Sequence, residues 1–348
     1  MARHHRILDD ALLLSGLSWR EIEDLYLLDA WSSPAVDPLL DPSSVEPYRF
    51  RELFRFEQGE VSELLDRLMM PGEVSSSSGV KVTDAEALCM TLRRLAYPAR
   101  LRELEVLFNR DGSVISSVVD KVLSHVEYNF NHLLADINTH RWLTPSNLEL
   151  FAEAVHAKGA PLKNCWGFLD CRAQRMYRPL AGRFQPYMHK YQALMAANGI
   201  ICHLERPYPE HTNSSGTFQL SSLHDSLEKL AQGRDFTVYG RGQYPSHSML
   251  TMPFEGAALK PHEAFFNDMM DVVWRPVEYT VGRVADSLSV VRFYQGQAFS
   301  RQRVVRMYKV ATLLANCRTC LYGNQVSHFF NVEPPTLEEY LVPLPSDV

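Results

Sequence analysis

Two acids stand where metal-dependent phosphodiester chemistry would need them. Asp170 closes the apolar run Trp166-Gly167-Phe168-Leu169, and Glu278 follows Val277 in a later helical pattern. An apolar strand that delivers one carboxylate to its end can anchor a metal site, which an acid from another element completes. Two divalent ions held in this way activate the attacking oxygen and steady the leaving one. Magnesium keeps several waters and takes one or two carboxylates, so two or three acids suffice. Between the two acids lies Val238-Tyr239-Gly240-Arg241-Gly242-Gln243-Tyr244-Pro245, where Arg241 carries the opposite charge. The chain contains 41 acids, so spacing alone favours a structural role for any single one.

Other chemistries leave little trace. There is no glycine-rich phosphate loop, nucleophile elbow or zinc-ligand spacing. The six cysteines (Cys89, Cys165, Cys171, Cys202, Cys317, Cys320) sit in apolar or helical surroundings and read as buried, reduced thiols. Cys317-Arg-Thr-Cys320 is the one CxxC, with no second pair to complete a zinc site. A net charge of −6 does not announce a nucleic-acid binder, but distribution matters more than the total. From Cys171 to Leu204 there is no acid, while Arg172, Arg175, Arg178, Arg183 and Lys190 are present. From Ser287 to Val332 acids are again missing, with Arg292, Arg301, Arg303, Arg306, Lys309 and Arg318 supplied. Each run reads equally well as a solvated basic face or as a phosphate track. No apolar run reaches the roughly eighteen residues of a membrane span. The start, Met-Ala-Arg-His-His-Arg-Ile-Leu-Asp-Asp, turns acidic too soon for a signal peptide, so an intracellular, non-secreted chain is expected.

The elements that must position these residues are set by periodicity. A length of 348 residues suits two domains plus extensions. Residues 1–44 form an amino-terminal extension and linker: an amphipathic segment runs from Trp19 to Trp31, and Ser-Ser-Pro, Asp-Pro and Glu-Pro steps between 32 and 49 read as extended. Residues 45–145 read as all-helical. Tyr48–Met70 is one helical region, Ser75–Gly79 a flexible tip, and Thr83 with Glu86 a capping box for the next helix. Leu101–Phe108, a turn around Gly112, and Val114 to about Leu134 fit a helix-turn-helix or an αα-hairpin of the core, with Ser116, Ser117, Asp120 and Lys121 on the outer face. Residues 146–345 change period. After a helix opened by Thr144-Pro145, strands are expected at Cys165–Asp170, Gln174–Arg178, Tyr191–Ala196, Ile200–Glu205 and Phe236–Tyr239, with a short edge near Met249–Pro253. Asn198-Gly199 marks a hairpin. Leu220–Gln232, Pro261–Val291 and Gln302–Tyr322 read as helices. The order predicts an α/β fold with a mixed sheet.

The ordered set of short motifs carries a resemblance. Gly-Phe-Leu-Asp170, Lys190-Tyr-Gln, Asn198-Gly-Ile-Ile, Tyr239-Gly240 with Tyr244-Pro245, and Val277-Glu278 are followed by Leu313-Leu-Ala-Asn-Cys-Arg-Thr-Cys-Leu-Tyr-Gly323 and Pro334-Pro-Thr-Leu-Glu-Glu-Tyr340. Over about residues 45–345 the chain resembles a DDE superfamily transposase of the PIF/Harbinger type. The resemblance implies a ribonuclease H-like mixed sheet flanked by helices, preceded by an all-α region with a helix-turn-helix. It also implies a divalent cation (Mg or Mn) held by Asp170 and Glu278, double-stranded DNA as substrate, nuclear residence, and room for a separate DNA-binding partner protein. The arginines and lysine most suited to phosphate are then Arg172, Arg175, Arg178, Lys190, Arg301, Arg303 and Arg306.

The departures from that pattern decide the chemistry. Arg241 stands where the second acid belongs, and Ser214 where a further acidic position falls. Cys171-Arg172 follow Asp170 in place of Gly-Thr, and Val281 replaces an aromatic. The stretch from Asp170 to Lys190 is short, which predicts disturbance of the sheet beside Asp170. His224-Asp225-Ser226 lies in an amphipathic helical pattern and reads as coincidence. Replacing an acid by arginine moves the local charge by two units, and each unit interaction at about 4 Å and an effective dielectric near 20 is worth roughly 4 kcal/mol. Arg241 is therefore expected to pair with Asp170 and Glu278 and to impair two-metal cleavage. Three readings are open: a nuclease with a damaged site, a non-catalytic DNA- or protein-binding derivative, and a decaying transposon copy.

Overall fold

The computed structural model describes residues 44–96, 101–180, 183–204, 221–241, 244, 248–287 and 301–344, together with 208, 209, 216 and 218; the side chains of 172–189, 209, 282–287 and 301 are outside the description. The segment Trp19–Trp31 and Ser214 lie outside the described residues.

The chain enters as helix sooner than the linker reading predicts. Pro47, at the first helical position, opens α1 (Pro47–Phe54), since a missing N–H costs nothing there. Arg55 turns left-handed at φ 69° and stops it, and a reciprocal Glu57–Glu60 capping box starts α2 (Gln58–Arg67), so the expected single helical region is two helices. The serine-rich tip belongs to a small antiparallel ribbon, β1 (Glu73–Ser75) and β2 (Lys81–Thr83), which buries Val74 and Val82. In α3 (Asp84–Ala96) the Thr83 hydroxyl accepts the Glu86 N–H at 3.2 Å, but only half of the expected capping box forms. The Glu86 carboxylate instead receives Arg110 through two hydrogen bonds of 2.9 and 3.1 Å.

α4 (Leu101–Phe108) and α5 (Gly112–Phe130) form the expected helical pair, with Asp111 capping α5 by accepting the Ser113 N–H at 3.0 Å. Part of the outer face of α5 is engaged by neighbouring elements. The Ser117 hydroxyl meets the Ser77 N–H and hydroxyl at 2.8 Å each, and Lys121 donates to the Ser75 carbonyl. Arg303 pairs with Asp120 at 2.7 Å and reaches the Ser116 hydroxyl at 3.1 Å. The two helices are packed into the core through Leu104, Phe108, Ile115, Val118 and Val122.

After α6 (His132–Ala135), Thr144 caps α7 (Pro145–Ala157), with Pro145 at its first position. The sheet consists of β3 (Cys165–Leu180), β4 (Arg183–Ala196), β5 (Ile201–Leu204), β6 (Tyr208–Pro209), β7 (Thr237–Gly240) and β8 (Leu250–Thr251), in the order β5-β4-β3-β7-β8 with β6 also on β4. α8 (Leu223–Ala231) precedes β7, and α9 (Pro261–Ser287), α10 (Arg301–Tyr322), α11 (Gln325–Phe330) and α12 (Leu337–Tyr340) close the described chain. β3, β4 and β5 are antiparallel, while β3, β7 and β8 are parallel, so the predicted mixed α/β sheet is present. The two strands expected at Cys165–Asp170 and Gln174–Arg178 are one. Register with β4 runs unbroken from Gly167–Ala196 to Leu180–Arg183, and the short Asp170–Lys190 stretch forms a long hairpin without disturbing the sheet. No glycine or proline interrupts Asp170–Arg178, which is why nothing stops the strand.

At the Asn198-Gly199 turn, Gly199 adopts φ +82°, and a Cβ there would fall 2.2 Å from the Asn324 side chain, which donates to the Gly199 carbonyl at 2.8 Å. The buried Asn316 amide accepts the Ile201 N–H at 3.0 Å and donates to the Ile201 carbonyl at 2.8 Å, satisfying the backbone of β5. One hydrophobic cluster extends from Phe50 to Leu341, so the expected boundary near 145–146 does not divide the core.

His140 joins the two sides of that boundary. It is buried, donates from Nε2 to the Cys202 carbonyl at 3.2 Å, and stacks on Tyr340 with ring centroids 6.0 Å apart. Burial pushes its basicity down from 6.5 to about 4. Below pH 6.5 the unfolded chain takes up a proton that the folded ring refuses until about pH 4, so stability at this ring is lost as pH falls through that window. His140→Phe is expected to flatten the dependence of urea midpoint on pH between these values; an unchanged slope would remove the buried ring as its source.

Candidate functional site

Asp170 lies in mid-strand with respect to β4, opposite Ala193, and not at a strand end as expected. It is at an end in another sense. The parallel pairing with β7 stops at Leu169–Gly240, one residue before it. Asp170 is 7% exposed, a buried acid on a strand that continues past it.

α9 is seated over this point by Trp274. Its ring meets Phe168 edge-on at 6.1 Å and Tyr239 edge-on at 5.8 Å, and those two residues are register partners across β3 and β7. Side chains alternate along a strand, so Asp170 shares the α9-facing side with Phe168, and Arg241 follows Tyr239 in the same phase. The Arg241 guanidinium lies 5.9 Å from the Trp274 ring centroid. Asp271, Trp274 and Glu278 occur at i, i+3 and i+7 and form one helical stripe above the strand ends.

Arg241 pairs with that stripe. Its Nη2 lies 3.1 Å from Asp271 Oδ1, and its Nη1 3.9 Å from Glu278 Oε2. The expected pair with Glu278 is present as the longer of the two, and Asp271 is the closer partner that sequence reasoning missed. The signal was available: Asp271 sits seven residues before Glu278, on the same face of the helix. Tyr239 lies beneath them, fully buried, and its hydroxyl has no hydrogen-bond partner among the described residues. Burial raises it to about 12, with Arg241 pulling it down and Asp271 pushing it up, so both charges face this ring.

The donor set does not fit a divalent ion. The Arg241 guanidinium lies between Asp271 and Glu278 and engages Glu278, one of the two ligands that the resemblance implies. No group of three or more His, Cys, Asp or Glu side chains suited to a metal occurs among the described residues.

The remaining expected residues divide. Arg303 and Arg306 are committed within the chain: beyond the Arg303–Asp120 pair, Arg306 meets Glu127 at 2.7 Å and the Ser124 hydroxyl at 2.8 Å, and Lys309 meets Glu127 at 3.6 Å. This half of the expected phosphate track is therefore a seam between α5 and α10. Arg301 is the first residue of α10. Lys190 lies half-buried on β4, paired with Ala173 and Tyr208. Arg172, Arg175 and Arg178 sit on β3 beyond the β7 pairing, in the hairpin with β4. His224-Asp225-Ser226 lies on α8, whose Leu223, Leu227 and Leu230 are buried as expected; His224 pairs with Asp225 at 3.0 Å, and the Ser226 hydroxyl donates to Asp136 at 3.3 Å.

Comparison with protein-family models, with curated proteins and with solved structures gives no match.

Arg241, Asp271 and Glu278 are each about two-fifths to one-half exposed, so solvent screens their attraction. A double-mutant cycle on Arg241→Ala and Asp271→Ala is expected to give a coupling below about 1 kcal/mol that shrinks as salt is raised. A coupling several times larger and insensitive to salt would mean that the pair is buried in solution.

Proposed function

We propose that this chain is a transposase-derived, DDE-type nuclease scaffold whose metal site is closed by its own arginine, and that it grips double-stranded DNA without cutting it. The observation that carries this reading is the Arg241 guanidinium, held 3.1 Å from Asp271 and 3.9 Å from Glu278 at the position of an acid in the resembled family. A divalent ion at that point loses one ligand and meets a positive charge. The scaffold around it is in keeping with the ribonuclease H-like expectation: a mixed sheet, a buried acid beside the end of a parallel pairing, and a helix bearing the third acid.

The DNA half of the proposal rests on the β3–β4 hairpin. Residues 172–180 pair only with β4 among the described strands, and the acid-free stretch with Arg172, Arg175, Arg178 and Arg183 falls on this ribbon. Nine residues of strand extend roughly 30 Å, and a two-stranded ribbon fits a DNA major groove. A second reading, a protein partner, is favoured by α9. Phe265, Val272 and Tyr279 recur at seven-residue intervals and are 63%, 45% and 49% exposed, an apolar line along one helix.

Three measurements test the proposal. Arg241→Asp is expected to acquire saturable Mn²⁺ binding that the wild type lacks; equal binding by both would place any metal elsewhere. Wild-type protein is expected to leave plasmid DNA intact in Mg²⁺ or Mn²⁺, and nicking that Asp170→Ala abolishes would overturn the closed site. Binding to duplex DNA is expected to weaken linearly in logarithm with the logarithm of salt, as released counterions require. Affinity that ignores salt, or no affinity, would leave the protein-partner reading.

A further inference from the structure

A cavity of about 380 Å³ opens between the β4–β5 turn, α9 and the carboxyl end of α10. Met195, Ile201 and Tyr279 give it apolar walls, and Arg318 and Gln325 bring polar ends. Asp170, Arg241 and Glu278 are not among the residues that line it.

Arg318 is the unusual feature. Among the described residues no carboxylate lies within ion-pairing distance of it, its Nε is buried without a hydrogen-bond partner, and its guanidinium lies over the face of Tyr322 at 5.9 Å. Arg51 lies over the same ring at 5.0 Å, and the Arg55 Nε is also buried and unpartnered. The nearby acids are already engaged. Glu60 accepts the Tyr322 hydroxyl and, at 2.6 Å, the Glu57 N–H, while Glu57 pairs with Arg51 at 3.3 Å. Burial, with the charges of Arg55 and Arg51 behind it, lowers the basicity of Arg318. A half-buried guanidinium crowded by two others and lacking an acid is costly unless an anion completes it. A planar fork of N–H donors matches phosphate in shape as well as charge.

We propose that this cavity binds the phosphate of a small phosphorylated organic molecule, with Arg318 as its principal ligand and Arg55 adding charge. The volume exceeds what a free phosphate would fill and falls within the range of small-ligand pockets, so the Tyr279, Met195 and Ile201 walls would receive the organic part.

The test is calorimetric titration of the full chain with adenosine monophosphate and, separately, inorganic phosphate, at constant ionic strength. Saturable binding is expected for both, tighter for the nucleotide, and weakened at least about tenfold by Arg318→Gln, the loss of one charge-assisted contact. Arg102→Gln, which removes the same charge from an exposed site on α4, is expected to change neither. The variant's fold is checked by its thermal midpoint without ligand. If Arg318→Gln does not fold, the wild type is read alone: a rise in thermal midpoint with phosphate that equal ionic strength of sodium chloride does not reproduce supports the site. No saturable binding of either probe, or equal loss in Arg102→Gln, overturns it. Phosphate binding as tight as that of the nucleotide overturns the role of the apolar walls.

Discussion

The seating of Trp274 across Phe168 and Tyr239 is the contact on which the geometry around Asp170 depends. Parallel strands β3 and β7 bring those two rings level, and one indole on α9 meets both edge-on. Such pairs add about 0.5–1.5 kcal/mol each beyond the area they bury. Their larger effect is positional. A slip of α9 by one turn would move it about 5.4 Å along its axis, farther than the separation of Arg241 from either acid it meets. The next residues on the same face of the strands are Asp170 and Arg241; three and four steps from Trp274 along the helix are Asp271 and Glu278. The same wedge therefore sets the distances of Arg241 from Asp271 and Glu278.

The two ion pairs of Arg241 contribute little to stability. The ion pairs of Arg241 are substantially exposed, and pairs of that kind are worth roughly 0–1 kcal/mol. Their consequence is exclusion. On the proposed reading, a divalent ion would have to compete with the guanidinium that already engages Asp271 and Glu278. The sheet, the wedge and the buried acid stand together with one guanidinium that engages two of the neighbouring carboxylates.

Much of the fold is legible in the sequence because periodicity and punctuation agree. Thr144-Pro145, Asp111, Asn198-Gly199 and the apolar stripe of α8 all do locally what their residue types predict. Misreadings arise where pairing, not local preference, decides. Asp170 looks like a strand end, yet residues 171–178 carry no terminator and the β4 ladder carries the strand onward. Glu86 has the right spacing for a capping box, but Arg110, 24 positions away, competes for its carboxylate with two charge-assisted bonds. Asp271 matches no motif, although helical phase places it beside Glu278. The Arg241–Glu278 contact is foretold by the resemblance, which sets the two residues at one site, together with their opposite charge.

Charge accounting also separates arginines that the sequence presents as one run. From Ser287 to Val332 there is no acid, which suggests a uniformly basic face. Folding assigns its members different fates according to what lies opposite. Arg303 and Arg306, in the first two turns of α10, face Asp120 and Glu127 on α5 and are neutralised there. Arg318, three turns further on, faces Arg51, Arg55 and the ring of Tyr322, with the closest carboxylates already in use. A helix that buries one basic end against acids gains attraction and seals a seam. The same helix, burying its other end against more cations, keeps an unmet demand for negative charge beside an open cavity, and that demand is what gives the cavity its selectivity.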